Sequence, residues 1–191
     1  MAKIIILNAP PGAGKDTIGK LIEEHSPNRV RMISFKQPMF NIALAILGAR
    51  RYGDFIMAYN DRETKEKPLD FLMGMSPRQF MIWISEDVIK PKFGNDYFGR
   101  RFDEVAKESD DPVICTDGGF SDEVIALIEA GHDVKLCRLH RRGFGFQGDS
   151  RSFIHLPIGW QGVNGYKDAD FYLVDNRPME TVKNIINLYL K

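Results

Sequence analysis

The sequence predicts an α/β fold, a five-stranded parallel sheet flanked by helices. Three observations lead there: five short apolar runs, helical periodicity between them, and a glycine-rich loop directly after the first run. The runs occupy residues 3–7, 29–35, 112–116, 134–139 and 170–174. They are near-continuous rather than strictly alternating, which suits strands covered on both faces and hence a parallel sheet. A helix over 14–24 follows the glycine loop. The stretch 37–47 repeats apolar residues at Met39, Ile42, Ala43, Ile46 and Leu47, a helical period. Ser76 and Pro77 read as an N-cap and first helical residue, opening a helix over 78–89. A helix over 122–130 ends at Gly131, a residue suited to the left-handed position past a helix C-terminus. A last helix covers 178–190. Strands alternating with helices define the doubly wound class.

The spacing is uneven. A parallel crossover needs only about a dozen residues, yet 36–111 separates the second run from the third. That stretch must hold several helices, an inserted lobe within a single domain of residues 1–191. A second irregular stretch, 140–169, is rich in Gly, Arg and aromatic residues and reads as a long loop. Its core, with the end of the preceding strand, is a lid over 138–157.

Bulk composition narrows the function classes. The chain has 191 residues, 26 Lys plus Arg against 26 Asp plus Glu, and no formal net charge. A dedicated duplex-DNA or membrane-surface binder normally carries a basic excess. Apolar residues make up 43% and charged residues 27%, enough for a packed core. No apolar run approaches the roughly 20 residues that span a bilayer. The apolar stretch near the start is too short for a secretory signal. Cys115 and Cys137 cannot staple a fold of this size, so a reducing, cytoplasmic setting is expected.

The strongest chemical signal is Asn8-Ala9-Pro10-Pro11-Gly12-Ala13-Gly14-Lys15-Asp16-Thr17, between the first strand and first helix. The general phosphate-loop pattern is Gly, four residues, then Gly-Lys-Ser/Thr. Ala9 stands where the first Gly is usual, and Asp16 where Ser or Thr is usual. The physical requirements survive both changes. Gly12 and Gly14 allow backbone conformations and close approach denied to other residues. The N–H groups of the loop, Ala13 included, and the following helix N-terminus then face an anion. Lys15 supplies charge for the β- and γ-phosphates of a nucleotide, and Thr17 a hydroxyl for Mg²⁺. Asp16 can hold that ion through water, or simply favour the helix N-terminus.

Pro10-Pro11-Gly12-Ala13-Gly14-Lys15-Asp16-Thr17 resembles the loop of the nucleoside monophosphate kinases. Its Gly-Lys-Asp-Thr form is most similar to the bacteriophage deoxynucleoside monophosphate kinases. Ser34-Phe35-Lys36-Gln37-Pro38 is similar to that family's Phe-x-x-Pro stretch. Asp61-Arg62-Glu63-Thr64-Lys65-Glu66, Ser76-Pro77-Arg78-Gln79-Phe80 and Gly94-Asn95-Asp96-Tyr97-Phe98 follow the order of its inserted lobe. Pro112-Val113-Ile114-Cys115-Thr116-Asp117, with Phe120, Glu123 and Gly131, resembles its third strand and next helix. The resemblance covers most of 3–139 and extends weakly over 168–190. Two departures stand out. Gly119 occupies the place of an arginine two residues after Asp117. The family's His-x-Ser-Glu segment has only Gly148-Asp149-Ser150-Arg151-Ser152 as its nearest counterpart.

The resemblance implies a P-loop kinase fold and transfer of the γ-phosphoryl group of ATP to a nucleoside monophosphate, most naturally a deoxynucleotide. It implies Mg²⁺, nucleotide partners without nucleic acid or membrane, a cytoplasmic site (the host's, if phage-encoded), and action alone or as a homodimer. Lys36, just past the second strand, and Arg78, in the first turn of a helix, are placed to grip the acceptor phosphate. Arg62 joins them chiefly through the family pattern. Asp117, ending the third strand, orders Mg²⁺ waters or binds the acceptor sugar, unless it caps the next helix. Arg138, Arg141, Arg142 and Arg151 cluster in the late segment. Arg141 and Arg142 suit catalysis and Arg151 suits acceptor binding. Asn176, after the last strand, suits the donor base. Basic residues interleaved with Phe144 and Phe146 also fit single-stranded nucleic-acid binding. A dephospho-coenzyme A kinase-like enzyme is a further alternative, disfavoured by the 61–66 and 76–78 patterns. Ala9 and Gly119 keep a non-catalytic nucleotide-binding regulator open. The four histidines show no metal-ligand spacing.

Overall fold

The computed structural model of the chain describes residues 1–149 and 151–191. Ser150, part of the sequence comparison above, lies outside the described residues. Two compact units are present: Met1–Phe35 with Phe98–Lys191, and Lys36–Tyr97.

The first unit carries a five-stranded sheet in the order β2-β3-β1-β4-β5, every pairing parallel. Its strands are β1 (Lys3–Asn8), β2 (Arg31–Met32), β3 (Val113–Cys115), β4 (Asp133–Arg141) and β5 (Lys167–Leu173). The α/β fold with five parallel strands is as the sequence predicts. β1 is central, with Ile4 opposite Val113 on one side and Val134 on the other. Ile5 and Leu7 pack into a cluster with Ile18 and Ile22 of α1 (Lys15–His25) and with Val182, Ile185 and Ile186 of the C-terminal helix (Pro178–Tyr189). Ile4 and Ile6, of opposite parity, are equally buried, so β1 is covered on both faces. Each such side chain contributes about 1.5–3 kcal/mol on burial. Gly19 lets α1 lie close on the sheet, because a Cβ there would stand 2.5 Å from Thr116 Cγ2.

Strand bounds differ from the sequence expectation where charge masks the pattern. β5 begins at Lys167 rather than 170, and β4 runs to Arg141 rather than stopping at 139. The added pairs, from Lys135 opposite Lys167 to Arg141 opposite Leu173, bring Arg138 and His140 against Asp168 and Asp170. Those ion pairs allow polar residues within a ladder. β2 is only two residues long, a short edge of the kind that limits unwanted pairing. A helix not anticipated as a separate element, Tyr97–Ala106, lies within the stretch assigned to the lobe. From Phe98 onward it belongs to the first unit, where Phe102 packs on Phe35 and Gly99 abuts the Glu123 backbone. The compact second unit therefore ends at Tyr97, short of the expected boundary at 111. The helix at 122–130 is observed at Ser121–Glu129.

In the second unit a helix spans Gln37–Asn60 but is interrupted at Gly48, whose φ of 69° and ψ of 162° are non-helical. The expected end at 47 marks this break. The Ser76 hydroxyl accepts from the Gln79 N–H while Gln79 accepts from the Ser76 N–H, a capping box that starts Pro77–Ile82. The helix then widens to a π turn over Trp83–Ile89. The Lys90 N–H reaches back five residues to the Ser85 carbonyl, and Pro91 has no N–H with which to continue an α register. Phe55, fully buried, is ringed by Phe40, Tyr52, Tyr59 and Phe80. Among the described residues no helix is long and apolar enough to cross a membrane.

Candidate active site

The site starts at the carboxyl end of β1. After Asn8 the chain turns through Pro10 and Pro11, and the Ala13 N–H donates to the Pro10 carbonyl at 3.3 Å. Gly12 (φ 74°) and Gly14 (φ 102°) take left-handed conformations that exact a steric cost from any residue with a Cβ. Gly14 is the N-cap of α1 and provides no side-chain cap. The first turn of α1 thus presents its N–H groups and dipole to the loop, the arrangement that binds anions.

Beside this turn lies a cleft of about 220 Å³. Gly14 and Thr17 line its polar end, and Ile18, Leu173, Val174 and Pro178 supply apolar walls. Arg141, at the end of β4, also lines it, with Nη1 3.8 Å from where a Gly14 Cβ would lie. Its guanidinium is held by Asp175, with Nε at 3.0 Å and Nη2 at 2.9 Å, and lies over the Phe144 ring at 4.9 Å. Asn176, in a left-handed turn (φ 60°), completes the rim. The structure therefore brings Gly14, Thr17, Arg141 and Asn176 together. Asp16 is exposed on the first turn of α1 outside the cleft lining, and Arg142 is likewise exposed outside it.

Asp117 does not cap the following helix, whose N-cap is Phe120 with no side-chain bond. One carboxylate oxygen accepts from the Ser34 hydroxyl at 2.6 Å, and the other from the Phe35 N–H at 3.1 Å and the Cys115 thiol at 3.1 Å. It ties the ends of β2 and β3 together. Burial pushes the Cys115 thiol well up, with Asp117 adding to the shift, and burial pushes Cys137 up likewise. Neither is a reactive thiolate.

The expected lid over 138–157 divides into parts with different roles. Arg138 is a buried strand residue, 6% exposed. Its guanidinium donates to Asp170 at 3.0 and 2.9 Å, to Asp168 at 2.6 Å, and to the Ile154 carbonyl at 3.1 Å. The Arg138 fork, then His140, holds the Asp170 carboxyl far below the usual carboxylate range. Arg138 belongs to the framework because two facing carboxylates use up its charge. Ile154 is buried too, its N–H donating to Asn8 Oδ1 at 3.0 Å. Asn8 Nδ2 reaches the Ser152 and Gly118 carbonyls at 3.3 and 3.4 Å. The end of the segment is pinned to β1, and the turn before it exposes Arg142, Gly143, Phe144, Gln147 and Gly148.

Arg151 lies over Gly119. A Cβ on Gly119 would overlap Arg151 Cδ and stand 2.8 Å from its Cγ. The Arg151 fork pairs with Asp149 through Nε at 2.8 Å and Nη2 at 2.7 Å. In the second unit, Lys36 is the N-cap residue of the Gln37 helix. Arg62 is exposed in the turns that follow that helix, where Thr64, chiefly through its hydroxyl, holds the Asp61 carboxyl below its usual value. Arg78, second in its helix, forms an ion pair with Glu66, its Nε 2.8 Å from Oε1, while its backbone N–H donates to the Lys65 carbonyl. Sequence reasoning missed Asn8, Asp149 and the pairing of Asp175 with Arg141. Only Asn8, a polar residue closing an apolar strand before the loop, left a signal.

The fold is α/β, five parallel strands flanked by helices with a glycine loop leading from β1 into α1, and it is P-loop kinase-like. No protein-family model matches the chain, and no curated protein matches it. Among solved structures it is similar to an unliganded sugar kinase from Janibacter sp. HTCC2649, with a TM-score of 0.50 and 10% identity over 98% of this chain and 94% of that one. At that identity the likeness concerns the fold alone. A tunicamycin resistance protein from Deinococcus radiodurans superposes with a TM-score of 0.48 at 12% identity, covering 100% of this chain and 98% of that one. A gluconokinase from Sinorhizobium meliloti 1021 gives 0.39 at 14% identity over 97% and 90% of the two chains.

Proposed function

We propose that the chain is a phosphotransferase that moves the γ-phosphoryl group of ATP to a small phosphate-bearing acceptor, a (deoxy)nucleoside monophosphate. The observation that carries this reading is the α1 N-terminus, without a side-chain cap behind Gly12 and Gly14, with Arg141 beside it in the same cleft. An oxygen of the acceptor phosphate attacks the γ-phosphorus, the bond to the bridging oxygen breaks, and ADP departs with that oxygen. Such a transfer needs alignment and charge stabilisation rather than covalent help from the protein. Loop N–H groups and Lys15 bind the β- and γ-phosphates, and Arg141 offsets the charge that develops on transfer. Ile18, Leu173, Val174 and Pro178 offer an apolar slot for the donor base, with Asn176 giving it a polar edge.

Mg²⁺ fits this donor set as part of the substrate. Thr17 offers a hydroxyl in the cleft, and Asp16 can act through water. An ion bound to the triphosphate would keep several waters and need few protein ligands. When bound, it screens the phosphate charge. Lys36, Arg62 and Arg78 receive the acceptor.

The test is an ADP-release assay with a panel of ribo- and deoxyribonucleoside monophosphates, with sugars and other hydroxyl acceptors alongside. Turnover confined to monophosphates is expected. Turnover with hydroxyl acceptors alone would replace the acceptor class. ATP binding without turnover on any acceptor would leave a nucleotide-binding regulator.

A further inference from the structure

β5 borders β4 on one side and no strand on the other, so its outer backbone N–H and C=O groups form an open edge. The devices that usually blunt such an edge are missing. No proline falls within 167–175, and β5 keeps register with β4 from Lys167 to Leu173 without a bulge. The two acids on the strand are engaged within the chain, because Arg138 binds both Asp168 and Asp170. Beyond them the strand turns apolar, and Tyr172 and Val174 are 74% and 50% exposed. The ends carry opposite charge, Lys167 at the start and Asp175 just past the finish. Asp175 keeps its side chain 68% exposed while holding Arg141, which leaves it room for a second cation.

We propose that a second copy of this chain adds to the β5 edge, antiparallel and centred on Phe171, so that the two sheets run on as one. A strand paired with its own twin about a twofold axis normal to the sheet keeps each residue on its face, and the axis must then pass through a residue. Charge chooses which one. Centring on Ala169 places Asp168 opposite the second copy's Asp170, and centring on Asp170 places that acid opposite itself; like charges so placed are destabilising. Centring on Tyr172 brings Lys167 to Arg177. Centring on Phe171 sets Phe171 against its twin, Tyr172 against Asp170 and Val174 against Asp168, and brings Lys167 of each copy beside Asp175 of the other. Backbone bonds then join the two edges, the terminal charges fix the register, and Tyr172 and Val174 lose contact with water. The shared Asp175 carboxylate connects this interface to Arg141 and the cleft. The interface itself rests on no reading of the reaction.

The test is sedimentation velocity on the full chain over a concentration series. Wild type is expected to pass from monomer to dimer, with the dimer predominant above about 50 µM, as suits a small interface. Lys167→Glu turns both terminal pairs into like-charge contacts and should raise the dimer dissociation constant roughly tenfold or more. Lys167→Glu combined with Asp175→Lys restores opposite charges in the Phe171-centred register, and should return the constant to within about threefold of wild type. Should Lys167→Glu fail to fold, as judged by thermal unfolding, Lys167→Ala decides, with a weakening of about threefold expected. A wild type that stays monomeric throughout the series, or a dimer indifferent to substitution at Lys167, overturns the interface. A double variant no better than Lys167→Glu alone overturns the register and the proposal with it.

Discussion

Asn8→Ala probes the link between the sheet and the site. Asn8 is 1% exposed, so the hydrogen-bonding groups it leaves behind have little access to water. The main loss is at Ile154, whose N–H now donates to Oδ1 at 3.0 Å; orphaning a buried donor costs about 1–3 kcal/mol. The bonds to the Ser152 and Gly118 carbonyls are longer, at 3.3 and 3.4 Å, and add roughly 0.5 kcal/mol each. The sum is about 2–4 kcal/mol, which for a chain of this length lowers Tm by about 4–16 °C. Urea unfolding reads the loss, and hydrogen exchange locates it. The Ile154 amide, protected in wild type, should exchange markedly faster in the variant while the β1–β3 ladder keeps its protection. A loss below about 0.5 kcal/mol would refute the argument, as would an Ile154 amide already unprotected in wild type.

Lys15→Ala should remove at least nine-tenths of phosphotransfer in the ADP-release assay with an unchanged melting temperature, since one charge contact at the transferred group contributes roughly 2–4 kcal/mol. Arg141→Ala should lower kcat far more than Arg142→Ala, because Arg141 alone of the two lines the cleft; equal losses would place catalysis in the exposed turn. Asp175→Asn should raise the KM for ATP modestly by loosening Arg141, and no change in either kinetic constant would make that ion pair incidental. Asp170, whose carboxyl is held low by Arg138 and then His140, contributes stability that is present above the unfolded carboxyl value near pH 4 and is lost as pH falls through the depressed folded value. The gap in Tm between wild type and Asp170→Asn should therefore be widest near neutral pH and narrow below about pH 4; a gap independent of pH would show that the pairing is not electrostatic.

Local chemistry made the framework legible. Ile4–Leu7 reads as a covered strand because every residue is apolar. Gly12 and Gly14 announce a loop because only glycine accepts their backbone angles cheaply. Ser76, Pro77 and Gln79 announce a helix because the cap is made within four residues. The first half of β5 was hidden for the converse reason. Lys167 and Asp168 look like loop until Arg138, more than two dozen positions earlier, pairs with Asp168 and with Asp170 beyond it.

The sequence by itself therefore determined the α/β class, the five strands and the glycine loop before the first helix, since each depends on neighbours a few residues apart. Tertiary structure alone decided what surrounds each arginine. Arg138, Arg141, Arg142 and Arg151 carry the same charge within one segment. Folding set Arg138 between two acids, Arg141 in the cleft beside Gly14, Arg142 in the open and Arg151 over Gly119. A guanidinium's role is fixed by the carboxylates and backbone that surround it. Here those partners come from strands and loops that meet only when the sheet is assembled, such as Asn8 and Ile154, 146 positions apart.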